Sequence, residues 1–205
     1  DYGLDLSSDG GHMLNFALNT RHHGLVGTGG AAPDGMVPRD LDIALALENV
    51  PSETIVNVGV AAVIEVALLG GLSSGPQVFE RLRKELSTAA TVLRLERANI
   101  TARDYDIALS ARLLAVPAAK AGIVGDGELR ITGLRKLLAA IQPGSAQSAI
   151  AGHMLRPLAA LMEKGKPIDG GAGRLFNLAV RPDGQLTVNG DPVLSLAPIS
   201  HQAKQ

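Results

Sequence analysis

Fifteen residues, Gly127–Ile141 (GELRITGLRKLLAAI), constrain the fold more tightly than any other stretch of the chain. Leu129 and Ile131 fall on one side of an extended backbone, with Arg130 and Thr132 on the other, a period of two. Gly133 ends that alternation. Beyond it Leu134, Leu137, Leu138 and Ile141 recur at helical spacing, opposite Arg135 and Lys136. A strand that passes directly into a helix along one apolar seam requires a sheet with a helix folded back over it.

The same alternation recurs upstream. Gly3–Ser7 and His12–Thr20 read as strands joined by the turn Ser8-Asp9-Gly10-Gly11, and Leu14, Phe16 and Leu18 share one side of the second. Gly24–Pro38 is Gly- and Pro-rich and reads as a loop. In Asp40–Glu48, Leu41, Ile43, Leu45 and Leu47 alternate with Asp42, Ala44 and Ala46. Pro51 and Ser52 then open a helix, Ser52 as its N-cap. From Ile55 to Leu72 the chain is almost wholly apolar, with Glu65 its one charge. Its length approaches that of a membrane span, while Asn57, Glu65 and many small residues favour a buried helix or one facing an apolar ligand. Pro76–Ser87 is an amphipathic helix. Thr91–Ile100 and Tyr105–Leu114 form a hairpin, Pro117–Gly127 a loop, and Ala146–Lys164 a further helix bent at Pro157. Gly165–Gly173 is a loop, and Arg174–Arg181 with Gln185–Val188 closes the chain as a hairpin across Pro182-Asp183-Gly184.

Set in two rows, the chain repeats a strand–helix–helix–hairpin unit, about 40–114 and again 128–190. The expected fold is therefore α+β: one curved antiparallel sheet with two helical pairs on its concave face, a single domain over 1–200 and a disordered tail at 201–205. Three stretches, GELRITGLRKLLAAI, LRLERANITARDYDIALSARL and GRLFNLAVRPDGQLTVNGDPV, resemble the bacterial envelope proteins of the AsmA-like and YdgA-like kind. The nearest resemblance is to an alphaproteobacterial family ending in the phrase Asp183-Gly184-x-Leu186-x-x-Asn189-Gly190. That resemblance implies a periplasmic, inner-membrane-tethered protein whose elongated sheet holds lipid in an apolar groove. The chain opens without Met, on strand-like alternation, and reads as trimmed of a targeting or anchoring segment that would carry any membrane association.

Composition excludes several classes of function. Aromatic residues are 2% of the chain, too few for a base-stacking platform, and 19 basic residues against 20 acidic ones give no field for nucleic acid. The absence of cysteine removes disulfides, thiolate metal sites and a cysteine nucleophile. His12, His22 and His23 lack the spacing of a zinc site, and His153 reads as a hydrogen-bonded helix residue. Gly27-x-Gly29-Gly30 lacks the Lys-Ser/Thr of a phosphate loop, and Asp104, Asp106, Asp126 and Glu128 read as solvated turn carboxylates. No metal, cofactor or catalytic constellation is expected, and the chain does not read as an enzyme.

The expected function is binding or transport of a hydrophobic ligand, a lipid above all, in a groove with aliphatic and Met walls. The first helical stretch supplies Ile55, Val56, Val60, Val63, Ile64 and Leu68, with Glu65 placed either in a salt bridge or against a headgroup. The second supplies Leu137, Leu138, Ile141, Met154, Leu158 and Met162. The alternative is a structural module of the envelope that contacts a protein partner through its edges or loops.

Overall fold

A computed structural model describes residues 1–8, 10–24, 37–57, 84–136 and 164–196. Strand accounts for 64% of them and helix for 14%, in short pieces. The α+β expectation, with two helical pairs on a concave face, is thereby overturned: the described protein is an antiparallel sheet. Residues 52–57 and 84–88 are helical, as are 134–136, and Asp169–Gly171 forms a 3₁₀ turn. Residues 58–83 and 137–163, to which most of the expected helix and eleven of the thirteen expected groove residues were assigned, lie outside the described residues, as do Gly27–Gly30, His153 and the tail. Among the described residues no helix is long and apolar enough to cross a membrane.

Ten strands form one sheet: β1 (Tyr2–Ser8), β2 (Met13–His23), β3 (Pro38–Pro51), β4 (Val92–Ala102), β5 (Asp106–Ala115), β6 (Ile123–Thr132), β7 (Lys166–Ile168), β8 (Gly173–Val180), β9 (Gln185–Val188) and β10 (Asp191–Ser195). Their order is that of the chain, β1 to β6 and then β8 to β10, with β7 paired to β8. β8 is held by β6 along its whole length, while its other edge is shared by β7 at Gly173–Leu175 and β9 at Leu178–Val180. Asn189 fills the gap between them. Its backbone N–H donates to the Asn177 carbonyl at 2.7 Å, its Oδ1 accepts from the Asn177 N–H at 2.9 Å, and its Nδ2 donates to the Lys164 carbonyl.

With every neighbour antiparallel, strands an odd number of places apart in the sheet run in opposite directions. β3 and β6, the strands at equivalent points of the two pattern repeats, are three places apart. If β1 is drawn running upward, the chain leaves β3 at the upper end and returns to β4 there, but it leaves β6 and returns to β8 at the lower end.

As far as Lys136 the strand-to-helix step is as the sequence implies, residues 137–141 lying outside the described ones. Ile131, Leu134, Phe176 and Val188 form the buried hydrophobic cluster, with Ile107, Leu129 and Leu178 packed against it. Gly133 makes the turn at φ +67°, where a side chain would be strained, and a Cβ there would lie 2.0 Å from the Asp104 carbonyl oxygen. The expected loop Pro117–Gly127 is turn as far as Gly122 and strand beyond it: β6 begins at Ile123. Gly125 and Gly127 disguise it, yet they are required. A Cβ on Gly125 would meet the Arg112 carbonyl at 2.1 Å, and one on Gly127 the Ser110 carbonyl at 2.8 Å. Two further strands, β7 and β10, occupy sequence read as loop or left unassigned. The closing turn is as expected, with Gly184 at φ +80° and the Gln185 N–H donating to Asp183 Oδ1 at 3.0 Å.

Candidate ligand-binding face

The pairing registers divide the sheet into two chemically distinct faces. On one, Leu4 and Leu6 of β1 lie opposite Leu18 and Phe16 of β2. These in turn face Leu45 and Leu47 of β3, then Leu95 and Leu93 of β4. Leu93 pairs Leu113 and Ile100 pairs Ile107 on β5, and Ile107 and Leu109 meet Ile131 and Leu129 of β6. Leu129 then pairs Phe176 of β8, and Leu178 pairs Val188 of β9. A continuous apolar path therefore crosses the sheet from β1 to β9. β-Bulges, such as those between Leu14 and Phe16 and between Leu95 and Ala98, shift the register without interrupting it.

The other face is polar. Asp42 accepts from Arg21 and from Arg97, each at 3.0 Å, and Glu48 pairs with Arg94. Partial desolvation pushes the Asp42 carboxyl upward, but the hydrogen bonds and charges of Arg97 and Arg21 outweigh it and hold the group below the ordinary carboxylate range. Burial alone raises the Tyr105 phenol.

Exposure is uneven along the apolar face. Ile131, Phe176 and Val188 are buried, and Phe176 is 1% exposed. The middle strands are half-buried. At the β1 side Leu4 is 73% exposed, Leu6 62% and Leu18 41%, with Tyr2 beside them at 76%. Thr20 lies on the same face, opposite Tyr2 and Ile43, and its hydroxyl has no hydrogen-bond partner among the described residues. At the lower margin the Tyr2 hydroxyl meets His22 Nε2 at 2.7 Å. No group of three or more metal-ligating side chains occurs among the described residues.

Of the residues expected to line a groove, the structure describes Ile55 and Val56. They follow β3 on the first helical turns and are 39% and 61% exposed. A nearby pocket of about 590 Å³ is lined by Met13, Glu53, Thr54, Asn57, Lys84 and Thr88 among others, and not by Ile55 or Val56. Val60, Val63, Ile64, Glu65, Leu68, Leu137, Leu138, Ile141, Met154, Leu158 and Met162 lie outside the described residues. The apolar surface described here is thus made by strands, and sequence reasoning assigned those strands a supporting role. Their alternation was the available signal. Neither a protein-family model, nor a curated protein, nor a solved structure matches the chain.

Proposed function

We propose that the protein binds a hydrophobic ligand, a lipid, by laying its apolar part on the open side of the aliphatic sheet face over β1–β3. The observation that carries this reading is the contiguous group Leu4, Leu6 and Leu18, exposed on a face whose far side is sealed. Contiguous exposed aliphatic surface of this kind marks a binding site more often than an incidental patch. Each 100 Å² of it removed from water contributes about 2.5 kcal/mol. Sheet side chains present a flat, adaptable surface, so the guest is a flexible chain with its length on the Leu rows. The periplasmic setting rests on the resemblance to envelope proteins alone.

Native mass spectrometry of the purified protein after incubation with phospholipid vesicles tests this. Discrete lipid-mass adducts are expected, weakened in L4S/L6S. Only the bare mass, at every lipid concentration, overturns the reading.

A second reading, a protein-interaction module, draws on the edge of the sheet. Among the described residues β1 pairs on one side only and carries no Lys, Pro or bulge to discourage strand addition. β10 by contrast carries Pro192, a register shift and an Asp191–Lys164 ion pair at 3.0 Å. Under this reading L4S/L6S weakens capture of a β-strand partner and leaves lipid adducts unchanged.

A further inference from the structure

At the lower end of the sheet, between the exit from β6 and the entry to β8, lies a surface pocket of about 430 Å³. Gly133, Leu134, Arg135, Lys136, Pro167, Gly170, Gly171, Ala172 and Arg174 line it. Three of these are cations and none is a carboxylate, in a chain whose formal charge is −1. Gly170 and Gly171 form one wall at φ +64° and +95°, and a Cβ built on either meets nothing within 4 Å, so the backbone there faces open space.

Among the described residues only one of the three cations pairs with a carboxylate. Arg174 Nη1 donates to the carbonyls of Gly171 at 3.3 Å and Gly173 at 3.1 Å, which fix the guanidinium without cancelling its charge. Arg135 has no carboxylate partner among the described residues. Lys136 is partly offset by Asp104 at 3.2 Å, a carboxylate that Arg103 also approaches at 3.8 Å. Two arginines and a lysine around a hollow of this size form a receptor for a compact oxyanion, since guanidinium presents paired donors to phosphate oxygens.

The pocket also joins the apolar face. Leu134 lines it while belonging to the buried cluster with Ile131 and Phe176. Arg174 occupies a position on the apolar face itself, opposite Ile131. Arg174 thus sets a partly exposed cation at the edge of the aliphatic row, where an anionic group can meet it. From β6 to β2 is four strand spacings, about 19 Å, comparable to a long acyl chain laid across the strands.

We infer that this pocket is a phosphate-binding site, and that it takes the anionic headgroup of an amphiphile whose chain lies on the apolar face. The headgroup assignment rests on the lipid reading above; the phosphate chemistry does not.

The two separate in one calorimetric series on the full chain. The probes are lysophosphatidate and the monoacylglycerol of the same chain, both below their micelle concentrations, and inorganic phosphate. The wild type is compared with R135Q/K136Q, two exposed positions outside the core. The expected result is at least about tenfold tighter binding of lysophosphatidate than of its neutral twin, a preference lost in the variant while monoacylglycerol binding stays unchanged. Equal binding of the two amphiphiles by the wild type overturns the pocket and leaves the apolar face. Saturable phosphate binding, lost in the variant, with neither amphiphile bound, keeps the pocket as a free-anion site and overturns the lipid source. No binding of any probe overturns both.

Discussion

Two parts of one face, built from the same aliphatic alternation, meet opposite fates. Over β6, β8 and β9, Leu134 folds back from the Gly133 turn onto Ile131. Gly165 lies so close to Phe176 that a Cβ there would come within 2.8 Å of the ring. Over β1–β3 the Leu rows continue in register, but Leu4 and Leu6 are left largely exposed. The alternation therefore sets which face is apolar and does not decide whether that face becomes core or surface. It becomes core where Leu134, set back by the left-handed Gly133, packs on Ile131, whereas the described residues of the turn between β1 and β2 place no such cover over Leu4 and Leu6.

The sharpest contrast comes from truncating one large side chain on each side. Phe176→Ala should lose about 3–5 kcal/mol, the range for emptying a packed aromatic site, read by denaturant unfolding. Leu4→Ala should stay within about 0.5 kcal/mol, as for an exposed position. Comparable losses at both positions would erase the distinction.

Next in size is the turn that seals the closed side. Gly133→Ala places a side chain at positive φ and against the Asp104 carbonyl, so stability should fall by about 1–3 kcal/mol from backbone strain alone. Thermal unfolding checks this. A variant as stable as the parent would mean that the fold-back does not depend on this geometry.

On the open side the effect should fall on ligand and not on stability. Leu18→Lys puts a charge amid the exposed rows, and binding of a fluorescent fatty-acid analogue should weaken about tenfold, some 1.4 kcal/mol, with little change in melting temperature. Undiminished binding would place the guest elsewhere.

The smallest expected effect is on the polar face, where acid should weaken the Arg21–Asp42–Arg97 group. Because the folded carboxyl sits below its unfolded value, its contribution is present above the ordinary carboxylate range and is lost as pH falls through the folded value. Asp42→Asn should lower stability slightly at neutral pH, where the contribution is present, and leave the acid end nearly unchanged, so that the acid limb of a stability–pH curve flattens. A steeper acid limb in the variant would contradict the assignment.

Much of the sheet was legible. The alternation of Leu41 to Leu47 marked β3, Ser8–Gly11 and Pro182–Gly184 marked hairpin turns, and the seam from Ile131 to Leu134 marked the fold-back. Asn189-Gly190, part of the terminal phrase that carried the family resemblance, proved to be a positive-φ turn with φ +53° and +93°, so the phrase is hairpin chemistry. What failed was reasoning from apolar content to helix layers. Residues 55–69 drew attention because they are greasy in sequence, while the exposed surface belongs to strands whose grease is spaced every second residue. Gly125 and Gly127 hid the start of β6 because a close approach of two strands looks, in sequence, like a loop. Nor could alternation reveal Arg174 as a cation among aliphatic neighbours, since that depends on its register against Ile131.

The most direct test of ligand capture is to map where a lipid touches the protein. Photolysis of a diazirine-bearing fatty acid with the full chain, followed by peptide mapping, should place adducts on 2–8, 13–23 and 38–51, extending over 92–115 towards β6, with few on 173–188. Adducts concentrated on β8–β9, or on the Arg21–Asp42 face, would contradict the account.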